Sequence, residues 1–245
     1  MSEIVEGRHP VLETLRSERL VDEVLVASSV RGSGVVREIT EAARTRDIPV
    51  REVDKQELDR LSVRGAHQGV VARVGEFVYA DLGGILSGAR GRPHALVVLL
   101  DHVLDPGNLG AAIRSSEALG ASGVIIEKRR SAQVTQTVLK TAAGAAAHLP
   151  VAKVTNLAQT LESLKDDGFW VVGASHDAED SAWDEPMPAR TALVVGSEGR
   201  GLSRLVRERC DLHVRIPIAG RTASLNVAQA VTVLAYEWAR SVAGG

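Results

Sequence analysis

Two rhythms of apolar positions run along the 245-residue chain. Alternating or unbroken apolar runs of four to eight residues predict strands, and apolar positions three and four apart predict helices. Over residues 7–74 the two alternate. "HPVLETLRS" has helical spacing, and "DEVLVAS" predicts a strand. "SGVVREITEAARTRD" predicts a helix capped by Ser33, with Val36, Ile39 and Ala43 on one face. "IPVREV" predicts a strand opened by a proline. "DKQELDRLS" predicts a helix with Asp54 as N-cap and Glu57 three residues on, the form of a capping box. "HQGVVARV" predicts another strand. Residues 1–75 thus read as a small α/β/α domain.

The pattern then weakens. "ADLGGILSGARGRPH" is rich in glycine, and residues 76–93 read as a linker with one short helix. From residue 94 to 245 the signal is strong. "ALVVLLD" is a continuous apolar run, as expected of a strand buried on both faces of a parallel sheet. The helix "LGAAIRSSEALG", ended by Gly120, and the strand "SGVIIE" complete a βαβ unit. "TQTVLKTAAGAAAH" reads as helix, "PVAKV" as strand, "NLAQTLESLKDDG" as helix and "FWVVGAS" as strand. "TALVVGS", "LSRLVRERC" and "LHVRIPI" read as strand, helix and strand. The final helix, "SLNVAQAVTVLAYEWARS", carries Val227, Val231, Leu234 and Trp238 on one stripe. The second domain is therefore α/β with a largely parallel sheet.

Composition narrows the partners. Charges nearly cancel, at a formal net charge of −2, so a nucleic-acid surface must be a local patch. Aromatic residues are only 3%, which leaves few platforms for stacked bases. The one cysteine, Cys210, excludes a disulfide framework and reads as a small core residue. No apolar run is long enough for a membrane span, and "MSEIVEGRHP" has no signal-peptide core, so the expected location is cytoplasmic. The histidines lack metal-ligand spacing, which disfavours a metal hydrolase.

Candidate chemistry begins with "VVGSEGRGLS", residues 194–203. It is not a phosphate-binding P-loop, because no lysine follows Gly201. It is not a dinucleotide fingerprint, because Gly196, Gly199 and Gly201 are spaced G-x-x-G-x-G near the end of the chain. A tight turn explains Gly199 and Gly201; it does not explain Glu198 between them. Two further loops that follow predicted strands carry polar residues. In "DPGNLGAAIR", Asn108 opens a helix, where N-capping is its commonest role, and Arg114 lies six positions on. In "IPIAGRTASLN", Pro217 and Gly220 break the strand, Ser224 caps the last helix, and Asn226 takes its second position. Ligands of open α/β sheets bind where such loops meet, at the carboxyl ends of strands.

"LDHVLDPGNLGAAIRSSEALGASGVII", "LVVGSEGRGLS" and "IPIAGRTASLNVAQAVTVLAYE" resemble the three motifs of SpoU/TrmH-type RNA ribose 2'-O-methyltransferases of the SPOUT superfamily, over about residues 95–240. "VEGRHPVLETL" and the unit after it are similar to the ribosomal-protein-like RNA-binding domain of bacterial 23S rRNA guanosine 2'-O-methyltransferases of the RlmB type. The resemblance implies a C-terminal SPOUT domain with a deep trefoil knot that binds S-adenosyl-L-methionine. Backbone groups of Gly196, Ile216 and Leu225 would contact the cofactor, joined by Ile218 and Ala174. Arg114 matches the family's candidate for handling the ribose 2'-hydroxyl proton. A guanidinium is almost always charged, so two roles stay open, proton acceptor or stabiliser of the developing alkoxide. Asn108 and Glu198 would orient Arg114; Ser224 and Asn226 would hold the ribose or the cofactor carboxylate. Arg200, Arg204, Arg207, Arg209, Arg215 and Arg221 crowd the second and third motifs and are candidates for phosphate contact. The family is homodimeric, with active sites near the subunit interface. The expected substrate is 23S rRNA; a tRNA site, a resistance site on rRNA, or a non-catalytic RNA-binding assembly role are the alternatives.

Overall fold

The computed structural model describes residues 3–17, 19, 21–62, 65–75, 77–184, 186–222 and 224–243. The chain divides into two units, Met1–Val78 and Tyr79–Gly245.

The first unit runs β1 (Glu3–Glu6), α1 (Arg8–Arg16), β2 (Val21–Ala27), α2 (Gly34–Thr45), β3 (Val50–Val53), α3 (Lys55–Leu61) and β4 (Val70–Val74). The sheet order is β1-β4-β2-β3, and only the β2–β3 pair is parallel. Alternation in β2 makes the three layers. Val24 and Val26 face α1 and α2, packing with Leu12, Leu15, Val36, Ile39 and Ala43. Leu25 and Ala27 face the other side, with Leu58 of α3. Ser33 caps α2 by accepting from Val36 N, and Asp54 caps α3 by accepting from Glu57 N at 2.7 Å. The reciprocal half of the capping box does not form, because Arg51 holds the Glu57 carboxylate at 2.7 Å. Strand β1 was not foreseen; its four residues are too few to show a period.

The second unit opens with α4 (Leu82–Ala89), within the stretch read as linker. Asp81 caps it by accepting from Gly84 N, and Ile85, Leu86 and Ala89 are buried in the main core. The close contact is made by Gly123, on a strand packed against α4, where a Cβ would have no room against Ile85; a Cβ on Gly88 of α4 would meet nothing within 4 Å.

There follow β5 (Ala95–Asp101), α5 (Pro106–Ala118), β6 (Gly123–Glu127), α6 (Gln136–Ala142), β7 (Val151–Val154), α7 (Leu157–Asp166) and β8 (Trp170–Ala174). Then come β9 (Asp180–Ser181), β10 (Arg190–Gly196), α8 (Arg204–Glu208), β11 (Leu212–Arg215) and α9 (Val227–Ala243). The helix expected over "TQTVLKTAAGAAAH" stops early, because Ala143 and Gly144 both take left-handed backbone.

All seven strands are parallel, in the order β7-β6-β5-β10-β8-β11-β9. Every residue of β5 is buried, as its unbroken apolar run requires. Val97 and Leu99 join the core with α4 and α7; Leu96, Val98 and Leu100 alternate to the opposite face, which α5 and α9 cover. Strand β10 lies between β5 and β8, with Gly196 opposite Asp101. The loops after β5 and β10 therefore leave the sheet side by side.

Candidate active site

Asp101, the last residue of β5, is fully buried, and its Oδ2 accepts from Ser203 N at 2.6 Å. That bond ties the loop after β5 to the turn after β10. Asp105, not Asn108, caps α5: its Oδ1 accepts from Asn108 N at 2.7 Å, and Pro106 takes the first helical position. Asn108 thus sits inside the first turn with its side chain free to reach elsewhere. Its Nδ2 donates to Glu198 Oε1 at 3.1 Å. Asn226 Nδ2 donates to Asn108 Oδ1 at 2.8 Å and to Glu198 Oε1 at 2.6 Å. Val227 N approaches the same oxygen at 3.4 Å.

Asn226 also departs from its expected place. It precedes α9 rather than lying within it, and its Oδ1 accepts from Ala228 N at 2.9 Å. Asn226 therefore caps α9, the task assigned to Ser224. Ser224 is exposed, one turn back along the loop. Three motifs meet in one cluster, Asn108–Glu198–Asn226, which accounts for the carboxylate that a tight turn did not need.

Two hollows adjoin at Glu198. One, of about 320 Å³, is lined by Ala174, Gly196, Ile216, Ile218, Ser224 and Leu225, together with Glu198. These are the five candidate cofactor positions plus Ser224. Gly196 makes the hollow possible. A Cβ there would lie 2.1 Å from the Gly201 carbonyl carbon, so the turn folds directly back on the strand. Gly201 N donates to Ser197 O at 2.9 Å to close it, and both Gly199 and Gly201 take positive φ. The volume suits a small organic ligand.

The other hollow, of about 640 Å³, is lined by His102, Asn108, Arg130, Glu198, Arg200 and Ser203, among others. His102 has φ +58°, an uncommon backbone for a side-chain-bearing residue. Its Nδ1 lies 2.5 Å from Asp101 Oδ1 and 3.3 Å from Glu127 Oε2. Burial, with the nearby Asp101 charge adding, pushes the Glu127 carboxyl above its usual range, while His102 opposes the shift. His102, Asp101 and Arg130 were missed in the sequence; a buried aspartate ending an apolar strand was the one available signal.

Arg114 is not in this cluster. Six residues along an α-helix rotate the side chain by about 600°, onto a different face from Asn108 and about 9 Å further on. Arg114 is exposed and, among the described residues, makes no side-chain hydrogen bond or ion pair. It borders an apolar hollow between α5 and α9 with Leu119, Val233 and Tyr236. Ser115 and Thr232 hydroxyls bond across that face at 2.6 Å. Asn108 and Glu198 therefore do not orient Arg114 within one chain.

The arginines divide as well. Arg204 pairs with Glu208, Arg207 with Asp177 and Arg209 with Glu162, while Arg215 donates to the carbonyls of Ala178 and Glu179. Arg200 and Arg221 have no such partner among the described residues. Cys210 is half-buried, and burial pushes its thiol up to about 12. Among the described residues no helix is long and apolar enough to cross a membrane.

Residues 95–236 match the SpoU rRNA Methylase family, and residues 4–80 match the family described as RNA 2'-O ribose methyltransferase substrate binding. A Staphylococcus saprophyticus protein named for the TrmH family of tRNA/rRNA methyltransferases is 41% identical over 237 residues, covering 96% of this chain and 94% of that protein. The SpoU methyltransferase AviRb from Streptomyces viridochromogenes, crystallised with AdoMet, is 29% identical. Its TM-score is 0.68, over 100% of this chain and 91% of its own. An AdoMet-bound rRNA methyltransferase from Sinorhizobium meliloti is similar at TM-score 0.64 and 25% identity, over 98% of this chain and 87% of its own. The TrmH/SpoU tRNA-modifying enzyme of A. aeolicus is similar at TM-score 0.57 and 26% identity, over 65% of this chain and 81% of its own.

Proposed function

We propose that this chain, which belongs to the SpoU rRNA methylase family, methylates the ribose 2'-oxygen of a guanosine in 23S rRNA. Family membership makes it an RNA 2'-O-ribose methyltransferase that uses S-adenosylmethionine. The observation that carries the reading is the pair of hollows meeting at Glu198. The smaller one gathers every candidate cofactor position from three separate loops, and at its Gly196 the turn folds back so closely that a side chain would collide with Gly201. Bound there, S-adenosylmethionine supplies a methyl group on a sulfonium centre.

The larger hollow takes the target nucleotide. Asn108 and Asn226 hold Glu198 in place between the two, and Ser224 with Leu225 borders the cofactor side. Arg130 and Arg200 border the nucleotide side, where phosphate charge falls. In this proposal the turn after β10 and the loop into α9 form the trefoil knot of the SPOUT fold. A second copy docks on the apolar α5–α9 face, and Arg114 of each copy completes the site of the other. That arrangement gives Arg114 a role its place on α5 denies it within one chain. The substrate places the enzyme in the cytoplasm.

Two observations favour rRNA over tRNA. A substrate-binding family matches residues 4–80, and the likeness to the tRNA-modifying enzyme covers much less of the chain than the likeness to the rRNA enzyme. The test incubates the protein with labelled S-adenosylmethionine and either unmodified 23S rRNA or unmodified tRNA, then maps ribose methylation. Label on a 23S guanosine supports the proposal. Label on tRNA alone moves the substrate, and no label with no cofactor binding overturns the reading. Arg114→Ala abolishes transfer with cofactor affinity retained, and light scattering reads the dimer mass.

A further inference from the structure

The first unit has a hollow of its own, of about 640 Å³, lined by Arg8, Ser29, Val30, Lys55, Gln68 and Gly69 among others. Two cations reach it from separate helices, Arg8 at the start of α1 and Lys55 at the start of α3. Other arginines of the unit sit beside carboxylates: Arg16 by Glu13 and Glu38, Arg31 by Glu52, Arg44 by Glu41. Arg8 and Lys55 have no such partner among the described residues, and no described carboxylate lines the hollow. Helix α1 adds to the positive charge there, since Gly7 gives it no side-chain cap and its first turn holds no acid. The walls are fixed. Gly69 N donates to Nδ1 of the buried His67 at 3.0 Å, and His67 Nε2 lies 2.9 Å from Asp59 Oδ1. Arg8 Nε donates to Gln68 O at 3.1 Å, which leaves its two terminal nitrogens for a ligand. A Cβ on Gly69 would lie 2.6 Å from a Val30 methyl, so the turn closes on Val30 only because glycine stands there. With a formal net charge of −2 on the whole chain, attraction for a polyanion has to come from local clusters of this kind.

We propose that this hollow binds an unpaired nucleotide of the RNA substrate, with its phosphate between Arg8 and Lys55. The phosphate takes the place that a carboxylate fills beside the other arginines of the unit. Val30 offers apolar surface to the base, and Ser29 and Gln68 offer hydroxyl and amide groups to its edge. A base in a duplex is stacked inward and cannot enter a concave site, whereas a looped-out base can. The hollow supplies no group to the methyl transfer, so it acts on RNA affinity. The inference rests on the methyltransferase reading, and label transferred to RNA by the wild-type protein tests that reading separately.

The test titrates the full chain with a short oligouridine and with an RNA duplex of equal length, over a series of salt concentrations. Combining Arg8→Gln with Lys55→Gln weakens oligouridine binding by about tenfold at physiological salt, and the slope of log K against log salt falls by about 0.7 for each cation removed. Lys55→Gln alone breaks no described bond of the fold and gives about half of that slope change. Duplex affinity, cofactor affinity and the single-turnover rate at saturating RNA stay within about twofold. Arg44→Gln on α2 is the control and leaves oligouridine binding unchanged. Wild-type oligouridine affinity and salt slope in the double variant, an equal loss for the duplex, an equal loss in Arg44→Gln, or slower transfer at saturating RNA would each overturn the proposal. If the wild-type protein methylates no RNA, the methyltransferase reading fails, and the oligouridine titrations still decide whether the hollow binds RNA.

Discussion

Gly196→Ala probes the cofactor hollow by one methyl group. The new Cβ would stand 2.1 Å from the Gly201 carbonyl carbon, 2.2 Å from its oxygen and 2.5 Å from Leu202 N. All three are backbone atoms, so no rotamer relieves the contact. Ordinary contact begins at 3.4 Å, and the turn must retreat by about 1.3 Å. The Gly201 N to Ser197 O bond stretches, and Glu198 moves with the turn. Overpacking of this kind costs about 1–3 kcal/mol. For a chain of this size that is a fall in Tm of roughly 2–12 °C. Displacing the turn loosens backbone contacts with the cofactor, each worth about 1–2 kcal/mol, so the S-adenosylmethionine Kd rises by about tenfold or more. Gly220→Ala is the control, because nothing lies within 4 Å of its Cβ position. Calorimetric melts and titrations read both quantities. A Gly196→Ala protein with wild-type Tm and a Kd within twofold would refute the reasoning.

Asn226→Ala removes the α9 cap and two side-chain bonds in the cluster; it costs about 1–2 kcal/mol in denaturant melts and slows methyl transfer at least about tenfold. Arg190→Ala acts at the opposite end of β10. Arg190 donates to the carbonyls of Ala89, Arg92 and Asp167 and stacks over Phe169 at 4.4 Å. Its loss costs about 2–3 kcal/mol, and titration shows an unchanged cofactor Kd. Cys210 has its thiol pushed up to about 12, so the thiolate is scarce below that pH. The native protein therefore resists Ellman's reagent at pH 8 and releases one equivalent of colour once unfolded.

Local rhythm carried the fold a long way. The apolar run of β5, the Val36–Ile39–Ala43 face and the Ser33 and Asp54 caps all depend on neighbours close in sequence, and all form. Where partners are distant, pattern was silent. The two-residue β9 exists only because β11 lies beside it. The short helix expected within the linker forms as α4, but that it belongs to the core shows only once Ile85 is buried. The same limit governs the site. Asn108, Glu198 and Asn226 could be picked out one by one, and their mutual bonds required the β5–β10 register. His102 drew no notice, because its meaning comes from Glu127 on the next strand. Arg114 was assigned by the resemblance of its motif, and which face of α5 it takes shows only once the helix is built.

The position of β10 also sets an order of events during synthesis. All pairs of the first sheet lie within the first 78 residues, so that unit can close early. In the second, the fully buried β5 has β10 as its neighbour on one side, with Ala95 opposite Arg190. Until the ribosome has delivered that late strand, β5 waits with an apolar edge unpaired. Such an edge is a template for association between nascent chains. Slow folding follows from pairing across this sequence distance. The same late insertion that brings Gly196 beside Asp101 therefore leaves the newborn enzyme exposed to chaperones, or to aggregation, while residues 102–189 are being made.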